Sequence, residues 1–133
     1  MQLFVAEKAG IIRFYDTNSG AAVMFFECNR TPLMSSDWCN NNSFYIGCCA
    51  GKDLFFWDTS LTSLPIRVVK TNAEGLSDFA FFDNAVVAYR GRPKNFLKVL
   101  NVNTNQVRCT VFFASEYCFL TIFVCRFSSR RSL

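Results

Sequence analysis

Short apolar runs alternate along the chain with clusters of Gly, Asn, Asp and Ser. That spacing predicts strands joined by tight turns. Leu3–Ala6 is a first strand, Glu7–Gly10 a turn whose glycine can take φ > 0, and Ile11–Tyr15 a second strand closed by Asp16. Thr17–Gly20 turns the chain into a third strand over 21–27. These three make most of a four-stranded unit, whose first strand would lie before Met1. The next unit is complete. It runs through Pro32–Cys39, a turn at Asn40–Ser43, a small-residue buried strand at Phe44–Ala50, a turn at Gly51–Asp53 and a strand at Leu54–Trp57. A loop at Leu61–Pro65 then leads to an alternating, half-exposed outer strand at Ile66–Lys70. The third unit has strands at 76–82, 85–89, 96–100 and 106–113, with turns at Asp83–Asn84 and 101–105 and a longer basic hairpin loop at Arg90–Asn95. From Ala114 this register stops. The run from Tyr117 to Cys125 reads either as the start of a fourth unit or as the product of a misjoined or prematurely ended reading frame.

One pattern recurs and sets the frame. Ile12-Arg13-Phe14-Tyr15-Asp16, Leu54-Phe55-Phe56-Trp57-Asp58 and Leu97-Lys98-Val99-Leu100-Asn101 each end an apolar run on a small polar residue. The spacing is 42 residues from Asp16 to Asp58 and 43 from Asp58 to Asn101. A period of roughly 40–45 residues, with an aromatic-Asp pair closing a strand, is that of a propeller blade. The reading is therefore an all-β, partial WD40-type propeller of about three four-stranded antiparallel blades. The blades fall at residues 1–28, 29–70 and 71–113, and 114–133 form a tail that does not match. Tyr15, Asp16, Trp38, Trp57, Asp58 and Asn101 are the structural repeat positions. Trp57 is read as packing between blades and Asp58, like Asp16, as tying a turn through backbone hydrogen bonds.

Composition adds exclusions. Sixteen Phe among 133 residues suit large cores and pleated, half-buried surfaces. The net charge is +4, and Arg126, Arg130 and Arg131 near the C-terminus supply three of those charges, which argues against a dedicated nucleic-acid surface. Histidine is absent, which removes Ser-His-Asp and Cys-His catalysis and imidazole metal sites. No phosphate-binding GxxxxGK[ST] loop occurs. The seven cysteines, Cys28, Cys39, Cys48, Cys49, Cys109, Cys118 and Cys125, are odd in number and follow no secretory leader, so they read as buried thiols. Cys48 and Cys49 are adjacent, and neighbours on a strand face opposite sides, so they do not share a metal. The longest apolar run, Cys118–Cys125, is too short to span a bilayer, which needs about 20 residues. Asp37, Asp53, Asp78 and Asp83 are assigned to turns or strand ends, with no pairing for acid–base work. Arg90, Arg92, Lys94 and Lys98, with Tyr89 and Phe96, read as a solvated rim loop, with a nucleic-acid or acidic-partner contact as the alternative.

On these residues the chain resembles the WD-repeat proteins, and more narrowly a WD-repeat nucleoporin of the Y-shaped outer-ring complex of the nuclear pore. The resemblance is carried by Val5-Ala6-Glu7-Lys8, Gly10–Asp16, Pro32–Cys39, Ala50-Gly51-Lys52-Asp53 and Trp57-Asp58. It is faint over 76–113 and absent from Ala114 onward. It implies a non-catalytic scaffold module in the nuclear envelope, supporting passage of RNA and protein through the pore. The implied partners are subunits of the Y complex, chiefly the large helical nucleoporin at its hub, with no cofactor, small-molecule substrate, direct nucleic-acid contact or membrane span. It also implies a closed propeller of about seven blades, more than twice this length, so the chain reads as a fragment. The Gly-His pair of standard WD repeats is missing. A generic WD adaptor in a ubiquitin ligase or chromatin assembly, an enzyme on a propeller scaffold, and a non-functional truncated product stand as alternatives.

Overall fold

The computed structural model describes residues 2–42, 44–61, 63–93 and 96–112. Among them the regular structure is entirely β, in three antiparallel meanders laid out in chain order. The first sheet holds β1 (Gln2–Glu7), β2 (Ile11–Asp16) and β3 (Ala22–Glu27). The second holds β4 (Leu33–Trp38), β5 (Tyr45–Ala50), β6 (Asp53–Asp58) and β7 (Arg67–Lys70). The third holds β8 (Gly75–Phe81), β9 (Val86–Arg92), β10 (Phe96–Asn101) and β11 (Gln106–Phe112). Each strand pairs with its chain neighbour, so tight turns suffice for every connection within a sheet. This is the all-β, partial-propeller architecture read from the repeat. Among the described residues no helix is long and apolar enough to cross a membrane.

The middle sheet explains the stacking. Side chains alternate across a strand, so a strand apolar at every position must bury both faces. Every residue of β5 is buried, and β6 is buried from Asp53 to Trp57. Ile46, Cys48, Phe55 and Trp57 point to the first sheet, where they meet Ile12, Phe14 and Phe26. Tyr45, Cys49, Leu54 and Phe56 point to the third, where they meet Phe79, Phe81, Val87 and Phe96. Aromatic rings fill both layers: Phe26 lies 6.2 Å from Trp57, Tyr45 stacks on Phe56 at 5.8 Å, and Phe79 meets Phe56 edge-on at 5.7 Å. Each large side chain buried this way contributes on the order of 1.5–3 kcal/mol, which is how so small a chain supports two cores.

The structure corrects two assignments. Arg90 to Arg92 are the end of β9, not a hairpin loop. Gly91 looks like a turn residue, yet it sits where β8 and β9 approach so closely that an added Cβ would collide with the Gly75 carbonyl oxygen. Asp78 lies in the middle of β8, opposite Arg90, not in a turn or at a strand end. Lys94, Asn95, Phe113, the strand proposed over 117–125 and the rest of 114–133 lie outside the described residues.

Candidate interaction surfaces

Asp16, Asp58 and Asn101 close β2, β6 and β10, the third strand of each unit when β1 is counted as a second. All three perform the same local chemistry. Asp16 Oδ1 accepts the Asn18 N–H at 3.2 Å, Asp58 Oδ1 accepts the Ser60 N–H at 2.9 Å, and Asn101 Oδ1 accepts the Asn103 and Thr104 N–H groups at 3.0 and 3.1 Å. A short side chain reaching two residues ahead replaces a backbone acceptor and sets the turn. The Asn18 N–H and the Ser19 hydroxyl hold the Asp16 carboxyl below its ordinary range.

The other repeat positions have separate surroundings. Trp57 is fully buried between the first two sheets, 6.0 Å from the Phe55 ring, and its indole N–H has no hydrogen-bond partner among the described residues. Trp38, at the end of β4, meets Phe4 at 5.3 Å and Phe14 at 5.6 Å. Tyr15 pairs with Leu3 across β1 and β2 and is half-buried. The turn-forming positions thus lie at one end of the sheets and the tryptophans in the seam, so the six do not converge on a single pocket.

The seam between the second and third sheets carries polar bonds as well as rings. Asp37 Oδ2 accepts the Phe81 N–H at 2.9 Å, and the Ser35 hydroxyl donates to the Phe79 carbonyl at 3.4 Å. Each links residues 44 apart in sequence. Arg90 Nη2 meets Asp78 Oδ2 at 2.8 Å, with both side chains largely buried. Desolvation still raises the Asp78 carboxyl above its usual range, with Arg90 opposing.

The first sheet leaves its other face open. Leu3, Val5, Val23 and Phe25 alternate outward from β1 and β3, and Phe25 remains 58% exposed. Val5, Arg13 and Phe25 stand in register across the three strands, so Arg13 stands between the apolar residues of β1 and β3 on this face.

Chemistry-bearing clusters are sparse. Cys28, Cys39, Cys48 and Cys49 are buried, unbridged thiols, Cys109 is exposed, and Cys118 and Cys125 lie outside the described residues. A hydrogen bond from Cys48 lowers the Cys28 thiol to about 7, and desolvation pushes Cys49 up to about 12. Among the described residues no three His, Cys, Asp or Glu side chains stand close enough to hold a metal ion. Of the basic hairpin named from sequence, Arg90 pairs with Asp78 and Lys98 lies over the Phe96 ring at 5.0 Å. Among the described residues of that hairpin, Arg90 is thus drawn into an ion pair, and Lys94 lies outside the described residues. The cations that do converge come from four separate segments, described below. Sequence order scatters them, and no local motif joins them.

These features define a class: an all-β partial propeller of the WD type, with one three-stranded and two four-stranded antiparallel sheets packed face to face. Comparison with characterised proteins narrows it. Nucleoporin Nup37 of Mus musculus is 45% identical over 64 residues, and Nup37 of Homo sapiens matches to the same extent, each covering 48% of this chain and 20% of the relative. Nup37 of Drosophila melanogaster is 34% identical over 73 residues, covering 55% of this chain and 23% of the relative. The match thus spans about a fifth of the length of the curated relatives. No protein-family model matches the chain.

Proposed function

We propose that the chain is a non-catalytic scaffold subunit of the nuclear pore complex, acting at the nuclear envelope through binding alone. The observation that carries the reading is the similarity of about half the chain to nucleoporin Nup37, on a fold whose surfaces are blade faces and turns. The finer reading is membership of the Y-shaped outer-ring complex. There the blades seat against neighbouring subunits, chiefly the large helical nucleoporin at the hub, and support passage of RNA and protein. In this reading the blades are residues 1–28, 29–70 and 71–113, with 114–133 outside the repeat. Tyr15, Asp16, Trp38, Trp57, Asp58 and Asn101 hold the blades in shape and take no direct part in binding. The open face of the first sheet, with Leu3, Val5, Val23 and Phe25, is the apolar area a neighbour would cover.

The test is expression of the full chain in human cells with a fluorescent tag, followed by gentle purification. The expected result is a punctate signal at the nuclear rim and co-purification of Y-complex subunits. Diffuse signal, or recovery with ubiquitin-ligase or chromatin assemblies and no nucleoporins, overturns the reading.

A further inference from the structure

Four chain segments distant in sequence meet at the end of the sheets opposite Asp16, Asp58 and Asn101. They are the β3–β4 connection, the β5–β6 turn, the β7–β8 connection and the end of β9. Backbone bonds lace them together. The Gly51 N–H donates to the Pro32 carbonyl at 3.1 Å, the Thr71 N–H to the Lys52 carbonyl at 3.2 Å, the Leu76 N–H to the Gly51 carbonyl at 2.9 Å and the Glu74 N–H to the Arg92 carbonyl at 2.8 Å. The Thr71 hydroxyl adds a bond to the Lys52 carbonyl at 2.6 Å. Between them lies a groove of about 720 Å³. Its shape is set before any ligand arrives, which lowers the ordering cost of binding.

The groove is basic on a chain whose net charge is modest. Arg30, Lys52, Lys70 and Arg92 line it, against Asp53 and Glu74. Asp53 is already occupied, since Arg30 Nε meets its Oδ2 at 3.2 Å. Lys52, Lys70 and Arg92 are exposed and form no ion pair among the described residues. Pro32 and Met34 add an apolar patch, with Met34 43% exposed. Among the described residues no aromatic side chain lines the groove, so these residues offer no stacking platform of the kind single-stranded nucleic acid uses. Cations around an apolar patch fit a peptide that alternates carboxylates with an aliphatic side chain.

We infer that this groove binds an acidic peptide segment of a partner protein, with carboxylates on Lys52, Lys70 and Arg92 and an aliphatic side chain on Pro32 and Met34. The site does not depend on the pore assignment: peptide binding and rim localisation are read separately, and either can fail alone. The experiment titrates the full 133-residue chain with a short fluorescein-labelled oligoglutamate carrying a central leucine, alongside an oligothymidylate of equal length. Lys52→Glu and Lys70→Glu are compared with Arg108→Glu, which makes the same charge change on β11, outside the groove lining. The expected result is saturable, salt-sensitive peptide binding, weakened about tenfold or more by each groove variant and less than about twofold by Arg108→Glu. In the unaltered chain, bound peptide should also slow acetylation of Lys52 and Lys70 but not of Lys98, a readout that needs no folded variant. Absence of saturable binding, equal weakening by Arg108→Glu, unprotected Lys52 and Lys70, or tighter binding of the oligothymidylate each overturns the inference.

Discussion

The carboxylate of Asp37, next to the end of β4, accepts the backbone N–H of Phe81 at the end of β8, 2.9 Å away across two sheets. Sheets packed by side chains alone can slide, whereas a directional bond to the next sheet fixes register as well as distance. Phe81 is 1% exposed, so its N–H has no ready access to water if the acceptor is lost. Asp37→Ala is expected to cost about 1–3 kcal/mol in denaturant unfolding, and Asp37→Asn, which keeps an acceptor oxygen, clearly less. Equal losses for the two variants would show that the bond does not hold the seam.

Gly47 marks the same seam from the other side. A Cβ there would lie 2.7 Å from Phe79 Cζ and 3.0 Å from Phe81 Cζ. Those rings cannot easily retreat, because they meet each other edge-on at 5.1 Å and each also packs on Phe56. Gly47→Ala is expected to destabilise by about 1–3 kcal/mol through overpacking. Phe79→Leu should recover part of that loss in a double-mutant cycle, because it removes the atoms in the way.

What was legible in the sequence follows from what is local. Strands and turns were readable because alternation and the Gly, Asn and Asp clusters act within a few residues, and the recurrence from Asp16 through Asp58 to Asn101 showed that the units repeat. The bonds from Asp37 to Phe81 and from Ser35 to Phe79 were not readable, since each spans 44 residues and depends on how sheets stack. Arg90-Gly91-Arg92 misled because charge and glycine are the usual marks of a loop. Here Gly91 serves a close strand approach and Arg90 serves a partner on β8. The basic groove was hidden for the same reason: Arg30, Lys52, Lys70 and Arg92 come together only once three sheets are in place.

The turn at Asp16 gives a pH prediction. Its native pKa is depressed by the Asn18 N–H and the Ser19 hydroxyl, so the native state releases this proton more readily than the unfolded chain. The contribution is fully present above the ordinary aspartate range and is lost as pH falls through the depressed native value. Asp16→Asn should keep the turn and remove this acid-dependent component. Thermal melts of the two proteins should therefore differ in slope with pH on the acid side and run parallel near neutrality.

The Asp78–Arg90 pair has the opposite sign. Burial raises the Asp78 pKa despite the guanidinium, so the native state holds its proton more tightly than the unfolded chain. This group's contribution to stability therefore falls as pH rises through that window. Arg90→Met strands a mostly buried carboxylate and is expected to cost up to about 3 kcal/mol near neutrality. Most of that loss should return at acid pH, where Asp78 is neutral. A pH-independent loss would mean that Arg90 acts through packing or through its bond to Ser77 instead.

The cysteines separate thiolate character from access. The Cys28 thiol is lowered to about 7 by a hydrogen bond from Cys48. It is nonetheless only 5% exposed, whereas Cys109 on β11 is exposed. Reaction with a bulky reagent needs both a thiolate and a path to it. In a variant with Cys118→Ser and Cys125→Ser, one thiol, Cys109, is expected to react with Ellman's reagent in the native state. Cys28 should follow only at the rate at which the first and second sheets part, and Cys48 and Cys49 only on unfolding. Mass mapping after timed quenching distinguishes the order. If Cys28 instead reacts as fast as Cys109, the seam opens freely and the tight packing of Phe26 and Trp57 around it does not persist in solution.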